Sequence, residues 1–345
     1  MAAQLEAMAA EFFGWRASAS KPISADDVPR CERPAGFAPD WSSVALEQMQ
    51  RQYGEYRRRL QGILRACDSS PVKWNRADQV DAAVLLAHFE RLRVELTVLR
   101  APWRNADFYI MQSLGAVHEL LVRGIDWLLD GRRLAELLAR LQNVPCVLGA
   151  GEANLASGQA EGEFASIAVQ NLEGRDSCCR RTVDAVLLAS AAGSLGPMRQ
   201  QLVEAAAAAD AAVVRYRCWL QTALPSMRTG HAAIGRAGFE DFLQNVALVE
   251  WYSVDAMQQV GELELRRSQA MSAMEEARAR GTPPRPPLLT IGTQDAKIRE
   301  REAQIRSFVE ARGILSVPDW IEGCRLRPIP PHLEPLFGLF SDNGK

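Results

Sequence analysis

The sequence predicts an all-α protein, a multi-helix bundle or stack of long amphipathic helices with a proline-rich, mostly irregular carboxyl-terminal tail. Two observations predict this fold class. Apolar residues recur at alternating spacings of three and four along most of the chain, which is the period of one face of a helix. Strands do not alternate with helices, and no repeat of fixed length is present.

Three apolar stripes predict long helices in the first part of the chain. The first stripe covers residues 46–63 and follows Ser42 or Ser43, either of which suits a helix cap. The second covers residues 85–99 and stops before Pro102, since a proline disfavours helix in the residue before it. The third covers residues 110–125. These stripes are predicted to face the core.

Glycine and proline predict where the next helices end and begin. Gly131 is expected to end the third long helix, and a short helix is expected over residues 134–141. Asn143 precedes Pro145, a pairing that commonly opens a new helix because proline is tolerated in the first turn. A helix boundary is therefore predicted near Pro145.

The second half of the chain has the same helical character. A stripe over residues 202–220 contains small residues that permit close packing of a neighbouring helix. Helices are also predicted over residues 239–251, 253–280 and 296–312, and the prolines of residues 282–287 predict a stiff exposed loop. Three regions follow: an amino-terminal extension (1–41), a helical domain (42–312) and a proline-rich carboxyl-terminal segment (313–345), in which residues 314–317 suit a short extended stretch.

Composition excludes several classes of protein. The 345 residues contain 48% hydrophobic residues, which excludes a disordered chain. Lys+Arg 40 balance Asp+Glu 42, so no net positive field gathers nucleic acid, and the local cluster Arg57-Arg58-Arg59 is better explained as a solvated helix face. No apolar stretch approaches the roughly 18 to 20 residues of a membrane span. Neither nucleic acid nor a membrane is an expected partner.

Localisation and redox state are inferred from the amino terminus and the cysteines. Residues 1–15 carry Glu6 and Glu11 and lack the basic region of a signal peptide, so a cytoplasmic location is expected. Seven scattered cysteines give neither a disulfide framework nor paired metal-ligand spacing. Adjacent Cys178 and Cys179 are expected to be buried or half-buried, inert thiols, although their role stays open.

Motif inspection yields no metal or catalytic site. His118-Glu119 begins like a zinc-protease helix motif, but Val122 stands where the second histidine is required. No nucleophile lies beside a base at a recognisable spacing. No catalytic residue, cofactor-binding residue or metal ligand is therefore assigned.

A candidate binding cleft is suggested by the aromatic-rich link between two long helices. Aromatic and arginine side chains at a helix junction either fill the joint or form the wall of a cleft. The candidate cleft or partner-binding residues are Trp103, Arg104, Asn105, Tyr109 and Arg140.

Several segments, taken in order, resemble the bacterial domain-of-unknown-function family 885, whose full-length members look like helical zinc metallopeptidases or related hydrolases. The resemblance extends from about Ser42 to Pro331. The matching segments are Asn75-Arg76-Ala77-Asp78, the Trp103/Asn105/Tyr109 link, residues 139–148 followed by Ala153-Asn154-Leu155, Gly238-Phe239-Glu240 with the helix 253–280, Phe308-Val309, and Ser316-Val317-Pro318-Asp319.

The resemblance implies the amino-terminal half of such a fold without its zinc site. In the family a His-Glu-x-x-Gly-His-like helix lies downstream of the segment that resembles residues 308–331, and this sequence ends at Lys345 before reaching one. Ala106 also stands where the family usually has proline. The resemblance therefore transfers no catalytic residue, and zinc is expected only through a partner chain.

Three functions are expected from these observations. The favoured one is a non-catalytic subunit that binds a substrate or partner and complements a second chain holding the metal-bearing hydrolase half. The second is a stand-alone helical module that binds a peptide or small molecule in the relic cleft. The third is a metal-independent enzyme. A homo-oligomer is an alternative to a separate partner chain, because a half-fold exposes an apolar face.

Overall fold

A computed structural model describes residues 2–18, 36–68, 75–122, 131–189, 196–249, 251–283, 294–318, 320–321, 323 and 329–340. Within these ranges the regular structure is helical, no β-strand occurs, and one isolated bridge joins Glu161 to Arg228. The predicted all-α fold class is confirmed. The last residues of the third predicted stripe, 123–125, and most of the predicted proline loop lie outside the described residues.

The helices are numbered in chain order. Two of them are continued by a short turn of a different helix type. A π-helical turn, Val94–Leu99, follows the third helix, and a 3₁₀ turn, Leu224–Ser226, follows the ninth. The helices are α1 (Ala2–Arg16), α2 (Ser43–Asp68), α3 (Arg76–Arg93), α4 (Ala101–Arg104), α5 (Ala106–Val122), α6 (Gly131–Leu155), α7 (Gly162–Leu172), α8 (Cys178–Ala189), α9 (Met198–Ala223), α10 (Gly235–Asn245), α11 (Val254–Ala279), α12 (Gln294–Ala311) and α13 (Glu334–Phe340).

The chain divides into two compact units. The first contains Met1–Val254 and Pro331–Lys345, and the second contains Asp255–Pro330. The division expected from the sequence, at residues 41/42 and 312/313, does not coincide with these bounds. Only the last part of the predicted carboxyl-terminal segment, Pro331–Lys345, belongs to the first unit, and its Leu333 and Leu336 are buried in the core of that unit.

The core of the first unit is built from the predicted apolar stripes. Ser42 Oγ accepts a hydrogen bond from the Ala45 amide at 3.3 Å, which confirms the predicted entry into α2. Helices α6 and α9 pack along each other, α5 packs on α6, and α8 packs on α9. The buried residues Ala205, Ala206 and Ala209 give α9 a narrow face, so its neighbours approach closely as predicted.

Helix α1 lies within the predicted amino-terminal extension and belongs to this core. Its Leu5, Met8 and Phe12 are spaced one helical turn apart and are all buried. The Phe12 ring centroid lies 5.5 Å from that of Tyr56 and 4.7 Å from that of Phe89, in edge-to-face geometry. Helix α1 therefore helps to fill the core between α2 and α3.

Two predicted boundaries in α6 are wrong. Gly131 is the first residue of α6 rather than the end of a preceding helix, and Pro145 lies inside α6 rather than at the start of a new helix. An internal proline removes one backbone hydrogen bond and costs about 3 kcal/mol. Leu141, Val144 and Val147 are all buried on either side of Pro145, so packing of the flanking turns holds the helix together through it.

The carboxyl-terminal tail is less irregular than predicted. Helix α13 forms despite Pro335, because proline in a first turn gives up an amide that has no helical partner. The guanidinium of Arg175 donates a hydrogen bond to the Pro335 carbonyl at 2.5 Å. Residues 314–317 show no strand.

The second unit contains α11 and α12, whose predicted spans are confirmed. Both helices carry ion pairs between successive turns, such as Arg278 with Glu275 at 2.5 Å and Arg306 with Glu302 at 3.7 Å. No residue of α11 is buried. The guanidinium of Arg306 also donates a hydrogen bond to the Ile321 carbonyl at 3.1 Å, which ties the segment after α12 to that helix.

Candidate functional site

Tyr109, one of the predicted cleft residues, lies in the core. Its side chain is 0% exposed, and its hydroxyl donates a hydrogen bond to the Pro102 carbonyl at 2.7 Å. The same oxygen accepts a hydrogen bond at 2.8 Å from Asn154, which also bonds the Trp41 carbonyl. Burial raises the pKa of the Tyr109 phenol. The residue connects α4, α5 and α6 and forms no wall of an open cleft.

Arg140 is separated from the other predicted residues. Its guanidinium donates a hydrogen bond at 2.6 Å to the carbonyl of Ala116, and the residue is buried. Ala116 lies two turns beyond Tyr109 on α5, about 10 Å along the helix axis. The structure therefore does not bring Arg140 together with the residues of the link.

Arg104 connects α4 to the loop before α10. Its guanidinium donates hydrogen bonds to the carbonyls of Leu99 at 3.2 Å, His231, and Ala232 at 3.3 Å. Its Nε lies 3.4 Å from a carboxylate oxygen of Glu161, which is fully buried. The neighbouring Trp103 is half-buried. Through the contacts of Arg104, α4 mainly holds the adjoining segments together.

Asn105 is the predicted residue that lines an open cavity. Its side-chain oxygen accepts a hydrogen bond from the Asp107 amide at 3.0 Å, which fixes the start of α5. The cavity has a volume of about 290 Å³ and lies where the π-turn faces the first turns of α5. Its lining residues are Arg91, Val94, Glu95, Leu99, Ala101, Asn105, Asp107, Phe108, Met111, Gln112 and Phe242. We refer to it as the π-turn cavity.

The π-turn determines which side chains reach this cavity. A regular α-helix would place Leu99 on the same buried face as Leu92 and Leu96, as the sequence predicted. The wider π-turn adds a residue to the turn, and Leu99 is 40% exposed and lines the cavity instead. Arg100 then adopts a left-handed φ of 54°, a conformation that is unfavourable for residues other than glycine. Such irregular turns concentrate at functional sites.

Helix α10 provides another wall of the π-turn cavity through Phe242. The helix is fastened to α3 by Arg93, whose Nη2 lies 2.7 Å from each carboxylate oxygen of Asp241. A Cβ added at Gly238 would lie 3.1 Å from Cγ1 of Val98, so glycine permits close contact with the π-turn. The Arg93–Asp241 ion pair and the close approach of α10 to the π-turn at Gly238 therefore fix the position of this wall.

One polar residue of the cavity lining, Gln112, has a side-chain oxygen without a hydrogen-bond partner among the described residues. The residue is 2% exposed. A buried amide oxygen without a partner costs about 1–3 kcal/mol. Glu95 and Asp107 add carboxylates to the lining, and Asp107 accepts a hydrogen bond from Asn171 at 2.9 Å. The lining is therefore rich in acceptors.

Sequence reasoning missed Gln112, Glu95 and Phe242 as cavity residues. The available signal was Gln112 itself, a polar residue in a helix whose neighbours Phe108, Tyr109 and Leu114 are all apolar or aromatic and buried. Phe242 belongs to α10, more than a hundred residues away in sequence, and nothing in the pattern joins it to the π-turn.

A second cluster of potential ligand atoms surrounds Cys178 and Cys179. Their sulfur atoms lie 3.9 Å apart, and the Cys178 sulfur lies 3.9 Å from Oδ1 of Asp210. All three residues are buried, as expected for the cysteines. Asp210 accepts hydrogen bonds from the amides of Cys179 at 2.8 Å and Arg180 at 3.1 Å, so it satisfies the first turn of α8.

The chemistry of this cluster favours a capping role over metal binding. Hydrogen bonding to Cys178 and burial raise the pKa of the Cys179 thiol, so the protonated thiol predominates at neutral pH. The guanidinium of Arg180 lies 2.9 Å from Asp210 and would repel a cation. Asp210 thus acts as a cap that α9 supplies to α8.

Comparisons with known proteins concern the fold alone. No protein-family model matches the sequence, and no curated protein matches it. A solved structure of a candidate lipoprotein of unknown function from Shewanella oneidensis has a similar fold, with a TM-score of 0.57 and 13% sequence identity. The match covers 92% of this chain, and the chain spans 59% of the length of that protein.

The lengths and hydropathies of the described helices bear on whether any of them could span a membrane. None of them is both long and apolar enough to cross a bilayer.

Proposed function

We propose that this protein is a non-catalytic helical binding protein whose small-molecule or peptide ligand occupies the π-turn cavity. The observation that carries the proposal is the lining of this cavity, in which the polar residues Asn105, Asp107 and Gln112 accompany apolar and aromatic residues such as Met111 and Phe242. Polar groups in such a lining fix the orientation of a ligand through hydrogen bonds. The lining also provides apolar surface, so the cavity combines the two features of small-molecule sites.

Two other grooves support this choice by contrast. One is lined by residues of α2 with Trp15, and the other lies between α1 and α2 around Arg59. Neither contains a buried polar atom without a partner among the described residues. The π-turn cavity has Gln112 among its lining residues and borders a π-helical turn and a left-handed residue, which favours it as the binding site.

The resemblance to the bacterial domain-of-unknown-function family 885 enters the proposal in one respect. It led to the expectation of a substrate-binding wall without a zinc site, and the π-turn cavity is our proposed counterpart of that wall. Asn105 is common to the predicted cleft and to the cavity. No metal is required for the proposed binding, and a cytoplasmic location is part of the same proposal.

The test is thermal unfolding of the full chain in the presence of a broad library of small molecules and short peptides. A ligand that stabilises the protein should lose its effect in Phe242→Ala, which removes a wall of the cavity. Phe239→Ala is the matched control, because Phe239 lies on the same helix, is 40% exposed and does not line the cavity. A library without any stabilising compound, or equal loss in both variants, contradicts the proposal.

A second candidate function is binding to another chain through the second unit. The observation that favours it is a set of exposed large apolar side chains, which in solution usually mark an interaction surface. They are Val260, Leu263, Leu265, Met271, Met274, Ile305, Phe308, Ile314, Leu315, Trp320, Ile321 and Ile329. We propose that the occupant is a second chain that carries a metal-bearing hydrolase half, as the family resemblance implies, with a homo-oligomer as the alternative.

Purification of the tagged protein from its native cell tests this second function. A stoichiometric companion that contains zinc and a His-Glu-x-x-His-like helix supports the split hydrolase. A self-assembled complex supports the homo-oligomer instead. A monomer without companions that does not bind a hydrophobic dye contradicts both.

A further inference from the structure

Helix α11 is 26 residues long, and none of its residues is buried by the part of the chain that the structure describes. A helix in water gains most of its stability from the packing of an apolar face, so a long helix that carries large exposed apolar side chains indicates a surface for another chain. Four such side chains on α11 are between 45% and 64% exposed: Val260, Leu263, Met271 and Met274.

These four side chains lie on one side of α11. Successive residues of a helix are about 100° apart, and at that rotation five residues lie within about 40° of a single line along the helix: Val260, Leu263, Arg267, Met271 and Met274. We call these five residues the α11 stripe. Leu265 is 59% exposed but points about 160° away from the centre of the stripe, so it lies on the opposite side of the helix.

The α11 stripe is symmetric in sequence about Arg267. Leu263 and Met271 lie four residues on either side of it, and Val260 and Met274 lie seven residues on either side. A second copy of α11 in the antiparallel direction, related by a two-fold axis at Arg267, therefore brings Leu263 of each copy next to Met271 of the other, and Val260 next to Met274.

Shape favours the antiparallel direction over the parallel one. In a parallel pair the two short Val260 side chains would face each other, and so would the two long Met274 side chains. The distance between two packed helices depends on the side chains at the contact, so this arrangement would require an uneven separation. The antiparallel pair places one short and one long side chain at both ends, and it also aligns the helix dipoles favourably.

The charges at the centre of the stripe are also complementary to themselves. Nη1 of Arg267 lies 3.5 Å from Oε1 of Glu264 on the same helix, and both side chains are more than half exposed. Glu264 precedes Arg267 by three residues, about 4.5 Å along the axis. In the antiparallel pair the two Glu264 carboxylates flank the two guanidinium groups on one side of the interface. Each guanidinium then lies between two carboxylates, which offsets the repulsion between the arginines.

We infer that the α11 stripe binds the same stripe of a second copy of this chain, antiparallel about a two-fold axis at Arg267. The occupant is a second copy because the stripe complements itself in shape and in charge. A single helix pair lies at the low end of the roughly 1,200–2,000 Å² that specific interfaces bury, so the dimer should dissociate at micromolar concentrations. The inference rests on the second candidate function and adopts its homo-oligomer for this stripe, which leaves the exposed apolar residues of α12 to a separate partner chain.

The experiment is sedimentation velocity of the full chain over a range of roughly 1 to 100 μM, which brackets such a dissociation constant. Leu263→Glu should raise the dissociation constant of the dimer roughly tenfold or more, because it places a carboxylate of each copy in the apolar contact. Leu265→Glu is the matched control, with the same substitution at similar exposure on the opposite side of α11, and should leave the constant unchanged. Circular dichroism confirms that both variants are folded.

A charge exchange tests the centre of the interface. Glu264→Arg surrounds the two-fold axis with four guanidinium groups and should weaken the dimer strongly. The double variant Glu264→Arg/Arg267→Glu restores the alternation of charge and should recover the dissociation constant of the unaltered protein. Recovery supports the paired arrangement, and a double variant as weak as Glu264→Arg alone overturns it.

Cysteine crosslinking tests the direction of the two helices. Under mild oxidation Val260→Cys/Met274→Cys should form a covalent dimer, whereas Val260→Cys alone should crosslink no more than the unaltered protein with its native cysteines. A crosslink in Val260→Cys alone overturns the antiparallel direction.

The outcomes separate this inference from the second candidate function. Equal dimerisation of Leu263→Glu and Leu265→Glu overturns the α11 stripe and leaves a homo-oligomer formed by another surface. A monomer at every concentration, with a stoichiometric companion in the native purification, overturns self-pairing and leaves the partner chain. A monomer that has no companion and binds no hydrophobic dye overturns both.

Discussion

The identity of Arg104 did not reveal which groups its side chain contacts. The sequence predicted a cleft residue, and the structure uses the guanidinium to join α4 to three backbone carbonyls and to the buried carboxylate of Glu161. The side-chain type was informative, since arginine suits such multiple donation. The direction in which it points depends on the loop of residues 227–234, which is remote in sequence.

Removal of Arg104 should destabilise the protein strongly. Arg104→Ala leaves the fully buried Glu161 carboxylate without its charge partner, and breaking a buried pair costs about 3–5 kcal/mol. The free energy of unfolding in urea measures the loss. Arg215→Ala is the control, because Arg215 is 54% exposed in its pair with Glu152 and should lose about 0–1 kcal/mol. Equal losses in the two variants would refute the role of burial.

Gly151 is required by the position of Tyr109. A Cβ at Gly151 would lie 2.7 Å from Cγ of the Tyr109 ring, which is fixed by its hydrogen bonds. Gly151→Ala should therefore lower the free energy of unfolding by about 1–3 kcal/mol, although alanine has the higher helix propensity. Gly62→Ala, in the open middle of α2 with nothing within 4 Å, should raise it by up to about 1 kcal/mol. Chemical denaturation of both variants decides between packing and propensity.

Helices were the elements best predicted from the sequence. The stripes over residues 46–63 and 202–220 gave the buried faces of α2 and α9, because a three-and-four spacing has one structural meaning. Their boundaries were less predictable. The prediction placed helix boundaries at Gly131 and Pro145, because glycine and proline commonly mark helix ends and starts. Packing of α6 against α5 and α9 outweighs these local preferences. Leu99 was assigned to the core because a stripe does not reveal a π-turn.

Substitution of Pro145 tests how packing and local backbone preference contribute to the stability of α6. Pro145→Ala restores an amide that reaches the carbonyl of Leu141 and removes the clash of the proline ring, so the free energy of unfolding should rise by up to about 3 kcal/mol. Urea unfolding measures the change. Pro335→Ala, in the first turn of α13, should change stability little, since no helical hydrogen bond is missing there. An unchanged or lower stability in Pro145→Ala would show that the proline is needed.

At the scale of the whole molecule, the division of the chain was not predicted. Helix α1 was not predicted to belong to the core, because its segment is rich in alanine and Leu5, Met8 and Phe12 span only about two helical turns. The return of residues 331–345 to the first unit depends on burial of Leu333 and Leu336, which a proline-rich segment does not suggest. The π-turn cavity also escaped prediction, because it joins α3, α5 and α10 across long sequence separations.

Stability should fall on mild acidification. Burial is the main cause that lowers the pKa of His88, His118 and His332 below the ordinary value of about 6.5. The unfolded chain therefore binds protons more readily than the folded chain, and stability is lost as the pH falls through about 6.5. The lowered pKa values of Glu11 and Asp241 act only at more acidic pH.

Thermal unfolding between pH 8 and pH 5 measures this effect. The midpoint should decrease toward pH 5, and the decrease should be smaller in the double variant His88→Gln/His332→Gln. A midpoint that is constant over this range, or a slope that the variant leaves unchanged, would exclude the histidines as its source. Above a pH of about 10 the same measurement should decline again, because burial raises the pKa of Tyr109 and Tyr216.

The cap that Asp210 supplies to α8 makes two helices one cooperative folding unit. The amides of Cys179 and Arg180 are protected from solvent exchange by a carboxylate that belongs to α9. Their protons therefore exchange with deuterium when α9 separates, and local fraying of α8 is not sufficient. The first turn of α8 would consequently report the opening free energy of a helix that begins some twenty residues later in the chain.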